Sequence, residues 1–369
     1  MDNSAVSAMD LYRHTRGMSL VDRFTVLTNT GDECIREVEL WFLLKRKTTP
    51  VCYVWFEPSP KMSIDEGIMK TIYVNKIVKA GCTVKILMAD LFAVCYKSGS
   101  YNLDQVRTIG SYNIEMWRAA GMDLERVQPV WLSDELNHHP SDYWPLALDI
   151  STKSTVDQMA RCRVDLESFG PEILSGAELF YPCLQIAVIL VQKADMWLFS
   201  IDQRNACMIA RSYSENLKRK NKPIILLHNI LPSLLEDPEF QDIADPGHTI
   251  FMEDDVTALS YKMKRVFCPP NLTLGNPCLD YIKHVIFPWF GKLEVVHTEG
   301  KDGNRTFASM EELILGYESG VVDSANVKLA FEMALNKILQ PVHDHFRDNS
   351  RAMALFSSLK KYKRGRRQA

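Results

Sequence analysis

The sequence predicts an α/β protein: a doubly wound, mostly parallel sheet followed by a smaller, mainly helical C-terminal domain. Three observations predict it. Short β-branched, apolar runs alternate with helix-spaced stretches through the first two thirds of the chain. Beyond about residue 255 that rhythm gives way to amphipathic helices. At 369 residues the chain is long enough for a large core and two domains, drawn here as 1–255 and 256–369.

The elements follow in order. "VCYVWF" (51–56) reads as a strand and runs into a helical stretch from Ile64 to Lys79. After Gly81, "TVKILMA" (83–89) is a β-branched, apolar run suited to a central strand. "LDQVRTIGSYNIEMWRAA" (103–120) has helical spacing and stops at Gly121. "VQPVWLS" (127–133) and "KPIILLH" (222–228) read as further buried strands. In the C-terminal part, 276–290 and 326–346 are amphipathic helices around a hairpin-like stretch at 293–307. In the second helix Val327, Ala330, Phe331, Ala334, Leu335, Ile338 and Val342 share one face.

Composition narrows the function classes. Apolar residues make up 46% and charged residues 24%, ordinary for a globular protein, and a net charge of −3 gives no overall polyanion-binding signal. The exception is the basic C-terminal tail Lys360, Lys361, Lys363, Arg364, Arg366 and Arg367. It reads as disordered and solvated, with RNA contact or targeting as the alternative. Nine cysteines without a CxxC pair predict free, mostly buried thiols in a reducing compartment. The histidines have no metal spacing, so no metal site is expected, and His138, His139, His343 and His345 read as surface residues. The longest apolar runs, such as "LQIAVILV" (184–191), are too short to span a bilayer, so no membrane partner is expected. Asp2 and Asp10 beside Arg13 and Arg16 make only a weak transit-peptide pattern.

The stretch "FEPSPKMSIDEG" (56–67) has the form of the strand-to-helix turn that holds a phosphate in nucleotide-binding α/β proteins. Yet neither Walker A nor GxGxxG occurs anywhere in the chain. Ser63-Ile64-Asp65-Glu66 instead reads as a capping box, with Ser63 accepting from the Glu66 amide and Glu66 reaching back.

Four strings carry a resemblance: "FEPSPKMSIDEG", "LFYPCLQIAVILVQKAD" (179–195), "FSIDQRNACMIAR" (199–211) and "ADPGHTIFMEDD" (244–255). Together with "NPCLDYIKHVIFPWF" and "ALNKILQPVHDHF", they resemble tyrosyl-tRNA synthetases of the eukaryotic and archaeal type, closest to the plant cytosolic enzymes. The resemblance implies a class I synthetase: a Rossmann-like catalytic domain, a helical anticodon-binding domain and a cytoplasmic homodimer. It implies activation of L-tyrosine by ATP, with Mg, and transfer of tyrosine to tRNA-Tyr.

Several residues at the family's functional positions depart from its pattern. The HIGH-type signature falls on "SIDEG", so Ser63 stands where the resemblance implies a phosphate-binding histidine, and Gly67 closes the string. The KMSKS-type signature falls on Phe240, Gln241, Asp242, Ile243 and Ala244, without either lysine and amid Glu236, Asp237, Glu239 and Asp245. Tyr53, Glu57, Tyr181, Gln185 and Gln203 occupy tyrosine-binding positions, but Val188 replaces the aspartate that reads the tyrosine hydroxyl, and Trp55 replaces a glycine. At the ATP positions Asp202 is kept and Ser200 replaces a glycine. On the tRNA side Arg204 is kept, Asn205 replaces a lysine, and Asn326 stands for the aspartate that reads the first anticodon base. These residues predict a family member with strongly impaired or absent catalysis. The alternative is a non-catalytic pseudo-synthetase serving as a tRNA-binding subunit or a heterodimer partner of an active paralogue. ATP is the cofactor only if activity remains.

Overall fold

The computed structural model describes residues 18–96, 101–162, 175–218, 222–235, 247–296 and 304–366. The chain opens with α1 (Leu20–Thr28), β1 (Glu33–Ile35), α2 (Glu37–Arg46) and β2 (Val51–Phe56). Next come α3 (Lys70–Lys79), β3 (Thr83–Met88), α4 (Asp90–Tyr96), α5 (Leu103–Ala119) and β4 (Val127–Trp131). Beyond them lie α6 (Pro140–Lys153), α7 (Gly176–Val191), β5 (Met196–Ser200), α8 (Arg204–Asn216) and β6 (Ile224–His228).

The strands form one six-stranded sheet in the order β1-β6-β5-β2-β3-β4. All neighbours are parallel except β1, which pairs antiparallel with β6. The predicted doubly wound, mostly parallel sheet is therefore present. Three-residue β1 is an addition: "ECI" is too short for a periodicity to register. Pro129 lies in β4, an outer strand bonded only to β3, where a missing N–H is tolerated. The chain winds from β2 outward through β3 and β4, then returns to the other side of β2 for β5 and β6. That reversal makes a topological switch point between β2 and β5.

Strand alternation sorts the core into two halves. Cys52, Val54 and Phe56 of β2 join Met196 and Leu198 of β5 on one face, with apolar residues of α3 and α5. Tyr53, Trp55, Trp197 and Phe199 point to the opposite face, beneath α6, α7 and α8. Two capping boxes start covering helices: Asn102 with Gln105 on α5, and Ser175 with Glu178 on α7.

The C-terminal part contains α9 (Val256–Arg265), α10 (Pro277–Tyr281), a β7–β8 hairpin (Leu293–Val295 and Arg305–Phe307) and α11 (Met310–Glu318). It closes with α12 (Ser324–Asp348) and α13 (Ser350–Arg366). The expected apolar face of α12 is buried from Val327 to Val342, and the adjoining core runs without a break from the sheet. Two expectations are corrected. The basic tail is helical through Arg366, and α13 packs on α5 and α12, with Phe356 stacked on Tyr112 at 6.1 Å. His345 is not a surface residue but meets the buried carboxylate of Glu115 at 2.9 Å, and the Nε2 of His343 is also buried.

Candidate functional site

In an open α/β sheet a ligand site forms where neighbouring strands leave in opposite directions, at their carboxyl ends. Here that place is the mouth between β2 and β5, where a cleft of about 220 Å³ opens. Trp55, Phe56 and Glu57 line it from β2, and Ser200, Asp202 and Gln203 from the end of β5. Asp65, Glu66 and Lys70 line it from the following turn, and His228 from the end of β6.

The turn after β2 does not enter a regular helix. Asp65–Met69 is a single π-helical turn leading into α3, packed against a second π turn at Ile282–Ile286. The capping box expected at Ser63 is half formed. The Ser63 N–H donates to Glu66 Oε2 at 3.4 Å, but the Ser63 hydroxyl donates to the same oxygen at 3.3 Å instead of accepting from the Glu66 amide. The Gly67 N–H makes the ordinary helical bond to the Ser63 carbonyl at 2.9 Å, and the π turn's own bond follows it, from the Lys70 N–H to the Asp65 carbonyl. Ser63 also bridges Phe251, so the turn is stitched to the strand-like segment 250–252. Gly67 is needed for close approach, since a Cβ there would lie 2.2 Å from Met252 Sδ.

Charge in the cleft is set by burial. Lys70 is buried and its ammonium donates to the Trp55 carbonyl at 2.9 Å. Burial lowers its pKa, and Glu66, Asp65, Asp202 and Glu57 oppose that shift. His228 is held neutral: burial and the nearby Lys70 pull its pKa down to about 3. Four carboxylates thus face one ammonium. Asp202 accepts the hydroxyl of Ser200, which orients it at the end of β5.

Beyond the cleft, the α7-facing side of β2 and β5 is filled with rings. The indole of Trp55 is 4% exposed, edge-on to Phe92 of α4 at 5.0 Å and 5.8 Å from Phe199. Tyr53 packs on Trp197 at 5.0 Å, and Phe92 meets Tyr181 at 4.7 Å. Glu57 binds two aromatic donors, the Trp55 indole N–H at 3.2 Å and the Tyr181 hydroxyl. Tyr181, Gln185 and Val188 recur at i, i+4 and i+7 along α7, which puts them on one face toward this cluster. Gln185 is 2% exposed and its amide nitrogen has no partner among the described residues, and Val188 is fully buried. Burial pushes the Tyr53 phenol up to about 12.

The structure therefore gathers Tyr53, Glu57, Tyr181, Gln185, Val188, Ser200, Asp202 and Gln203 around one end of the sheet, with Ser63 and Gly67 on the adjoining turn. Arg204 lies on the outer side of that end, in a two-point fork with Glu33 of β1 at 2.8 Å on each arm. Asn326 is remote from the cleft and inward-facing. It is 4% exposed, and its backbone N–H and side-chain amide donate to the two oxygens of Asp323, at 2.7 and 2.8 Å. Residues 240–244 lie outside the described residues. Sequence reasoning missed Phe92, Trp197, Phe199, Lys70 and His228. A signal existed for two: "MWLFS" puts Trp197 and Phe199 on alternate positions, in register with Tyr53 across the sheet.

With this geometry in place, the comparisons decide the family. Residues 45–340 match the profile described as "tRNA synthetases class I (W and Y)". Tyrosine–tRNA ligase 1, cytoplasmic, of Arabidopsis thaliana is 43% identical over 92% of this chain and 89% of its own length. The chain belongs to the tyrosyl-tRNA synthetase family. Its second cytoplasmic Arabidopsis relative, Tyrosine–tRNA ligase 2, is also 43% identical, but the chain covers 46% of that protein. The Leishmania major tyrosyl-tRNA synthetase solved in complex with tyrosinol superposes with a TM-score of 0.82 at 33% identity. That match spans 94% of this chain and 52% of the Leishmania chain. The predicted class I synthetase fold is therefore present. Among the described residues no helix is long and apolar enough to cross a membrane.

Proposed function

We propose that this tyrosyl-tRNA synthetase family member has strongly impaired or absent capacity to form tyrosyl-adenylate. The observation that supports it most is Trp55. In the family's pattern a glycine beside the substrate tyrosine belongs here, and an indole wedged between Phe92 and Phe199 and bonded to Glu57 takes up that space. Val188 offers no acceptor to a phenol, which costs roughly 1–3 kcal/mol for a buried hydroxyl. At the ATP side, Ser63 and Glu66 bond each other at the histidine position. The cleft there has a surplus of carboxylates, which repels a triphosphate. The KMSKS-type positions 240–244 carry no lysine. Loss of one such electrostatic contact costs about 3 kcal/mol of transition-state stabilisation, and several act here.

The domain assignments are 1–255 for the catalytic-type part and 256–369 for the anticodon-type part. On this reading ATP and Mg matter only for residual activity. The chain then works as a tRNA-Tyr-binding or heterodimeric subunit, and the naming of the Arabidopsis relatives supports a cytoplasmic site. The arrangement of Arg204 and Asn326, both engaged internally, supports weak rather than tight tRNA contact. The test is tyrosine-dependent ATP–pyrophosphate exchange beside the Arabidopsis enzyme. Exchange at least about a thousandfold slower is expected; comparable turnover overturns the proposal. A gel shift with tRNA-Tyr, alone and mixed with the active enzyme, then tests the subunit role. Without binding in either arm that role is rejected.

A further inference from the structure

At the end of the sheet opposite the cleft, where β5 and β6 begin, lies an open cavity of about 750 Å³. Leu43 of α2, Ile189 of α7, and Pro223 and Ile224 at the entry to β6 line it with apolar groups. The ring of Phe42 also lines it and is 53% exposed. Arg46, Lys193 and Lys222 supply cations. The carboxylates of the lining are already engaged, Glu39 with Arg211 at 2.8 Å and Asp195 with Lys47 at 2.5 Å. Lys222 pairs with Glu215 at the end of α8. Among the described residues Arg46 and Lys193 have no carboxylate partner, so the cavity keeps a surplus of positive charge.

Backbone strain gathers at the same edge. Among the described residues four other than glycine have a left-handed backbone, and three of them are basic: Arg36 at φ 69°, Lys193 at 48° and Lys218 at 50°. Lys193 and Lys218 stand one residue past the C-caps of α7 and α8, a position where glycine takes this conformation freely. Arg36 follows Ile35, which pairs with Ile225 in the first turns of β6, so it belongs to this edge too. A lysine near a helix C-terminus complements the dipole, but that gain does not call for the one strained residue. Side chains kept at a backbone cost are characteristic of ligand-binding sites.

We propose that this edge binds single-stranded nucleic acid, with phosphates on Arg36, Arg46, Lys193 and Lys218 and a base stacked on Phe42. Arg36 and Lys218 lie outside the cavity lining, so the positive charge extends further than one phosphate group reaches. A phosphodiester strand meets such a spread of cations, and its unpaired bases offer flat faces to an exposed ring. An acidic peptide brings the charge without the flat face. The edge lies at the other end of the sheet from the cleft and from Arg204, so the proposal does not rest on the loss of adenylate formation.

The test is fluorescence anisotropy of the full-length protein with a labelled oligouridylate of about 12 nucleotides, over a range of salt concentrations. Four phosphate contacts give a log–log salt slope of about −3. Arg46→Ala with Lys193→Gly is expected to weaken binding at least about tenfold and to flatten that slope by about 1.4. Glycine relieves the backbone at position 193, so the melting temperature should hold or rise, and lost binding is then not lost folding. Phe42→Ala is expected to weaken binding about tenfold with the slope unchanged. Lys360→Glu with Lys361→Glu on α13 controls for the basic tail and is expected to bind like wild type. No binding by the wild type, or a loss confined to the tail variant, would overturn the proposal. So would displacement by polyglutamate as effective as by unlabelled oligouridylate, which marks a surface for acidic proteins. Ultraviolet crosslinking of the wild type needs no variant: adducts on peptides carrying Phe42 and Lys193 are expected, and adducts on the tail alone refute the site.

Discussion

One indole carries much of the functional reading. Trp55 alternates with Val54 and Phe56 along β2, so its side chain must enter the α7 face, where the rings of Phe92, Phe199 and Tyr181 already meet. Cutting it back opens space at a cost of roughly 3–5 kcal/mol for a buried tryptophan. The double variant Trp55→Ala with Val188→Asp is expected to gain binding of L-tyrosine, seen as a ligand-dependent rise in melting temperature of a few degrees. An equal rise in the wild type would show that the indole does not block the site. Much of this was legible in the sequence: Trp55, Val188 and Ser63 stand out as residue types wrong for their positions. The half-formed cap at Ser63 was not legible, because the letters of a capping box do not say whether the serine hydroxyl accepts from the backbone or donates to the glutamate.

Among elements, the strands and long helices follow from periodicity, and the pieces that escaped are short or irregular. β1 has three residues, and both π turns hide inside apparently regular helices. The segment 248–255 shows what holds such pieces. Lys262 of α9 is 3% exposed, and it donates to the Thr249 carbonyl at 2.6 Å and to Asp254. Asp254 in turn accepts from the Phe251 N–H at 2.8 Å, fixing the strand-like stretch that bridges Ser63. Breaking a buried pair by removing one partner strands the other charge, at a cost of about 3–5 kcal/mol. Lys262→Met is expected to lose about that much in urea unfolding, and adding Asp254→Leu to recover part. A single variant within about 0.5 kcal/mol of wild type would show that this pair does not anchor the segment.

For the whole molecule, acid stability should carry the imprint of His228 at the end of β6. Its pKa falls from 6.5 in the open chain to about 3 in the fold, so below about pH 6.5 the unfolded state takes up a proton that the folded state refuses. The contribution is present above pH 6.5 and is lost as pH falls toward 3, amounting to about 2 kcal/mol at pH 5. His228→Phe is expected to flatten the decline in unfolding free energy between pH 7 and 5 by that amount relative to wild type. An unchanged slope would refute the buried, neutral imidazole.

The sequence by itself determined the family, the doubly wound sheet, the buried face of α12 and the unusual residues at the ligand positions. Each of these rests on local periodicity or on residue identity, which survive without coordinates. Only the tertiary structure decided that Glu57 is bound by Trp55 and Tyr181, that Arg204 is forked to Glu33, and that Asn326 turns inward to Asp323. The physical reason is common to all three. A polar side chain's partner is chosen by the packing of distant elements, and competition among partners has no period along the chain.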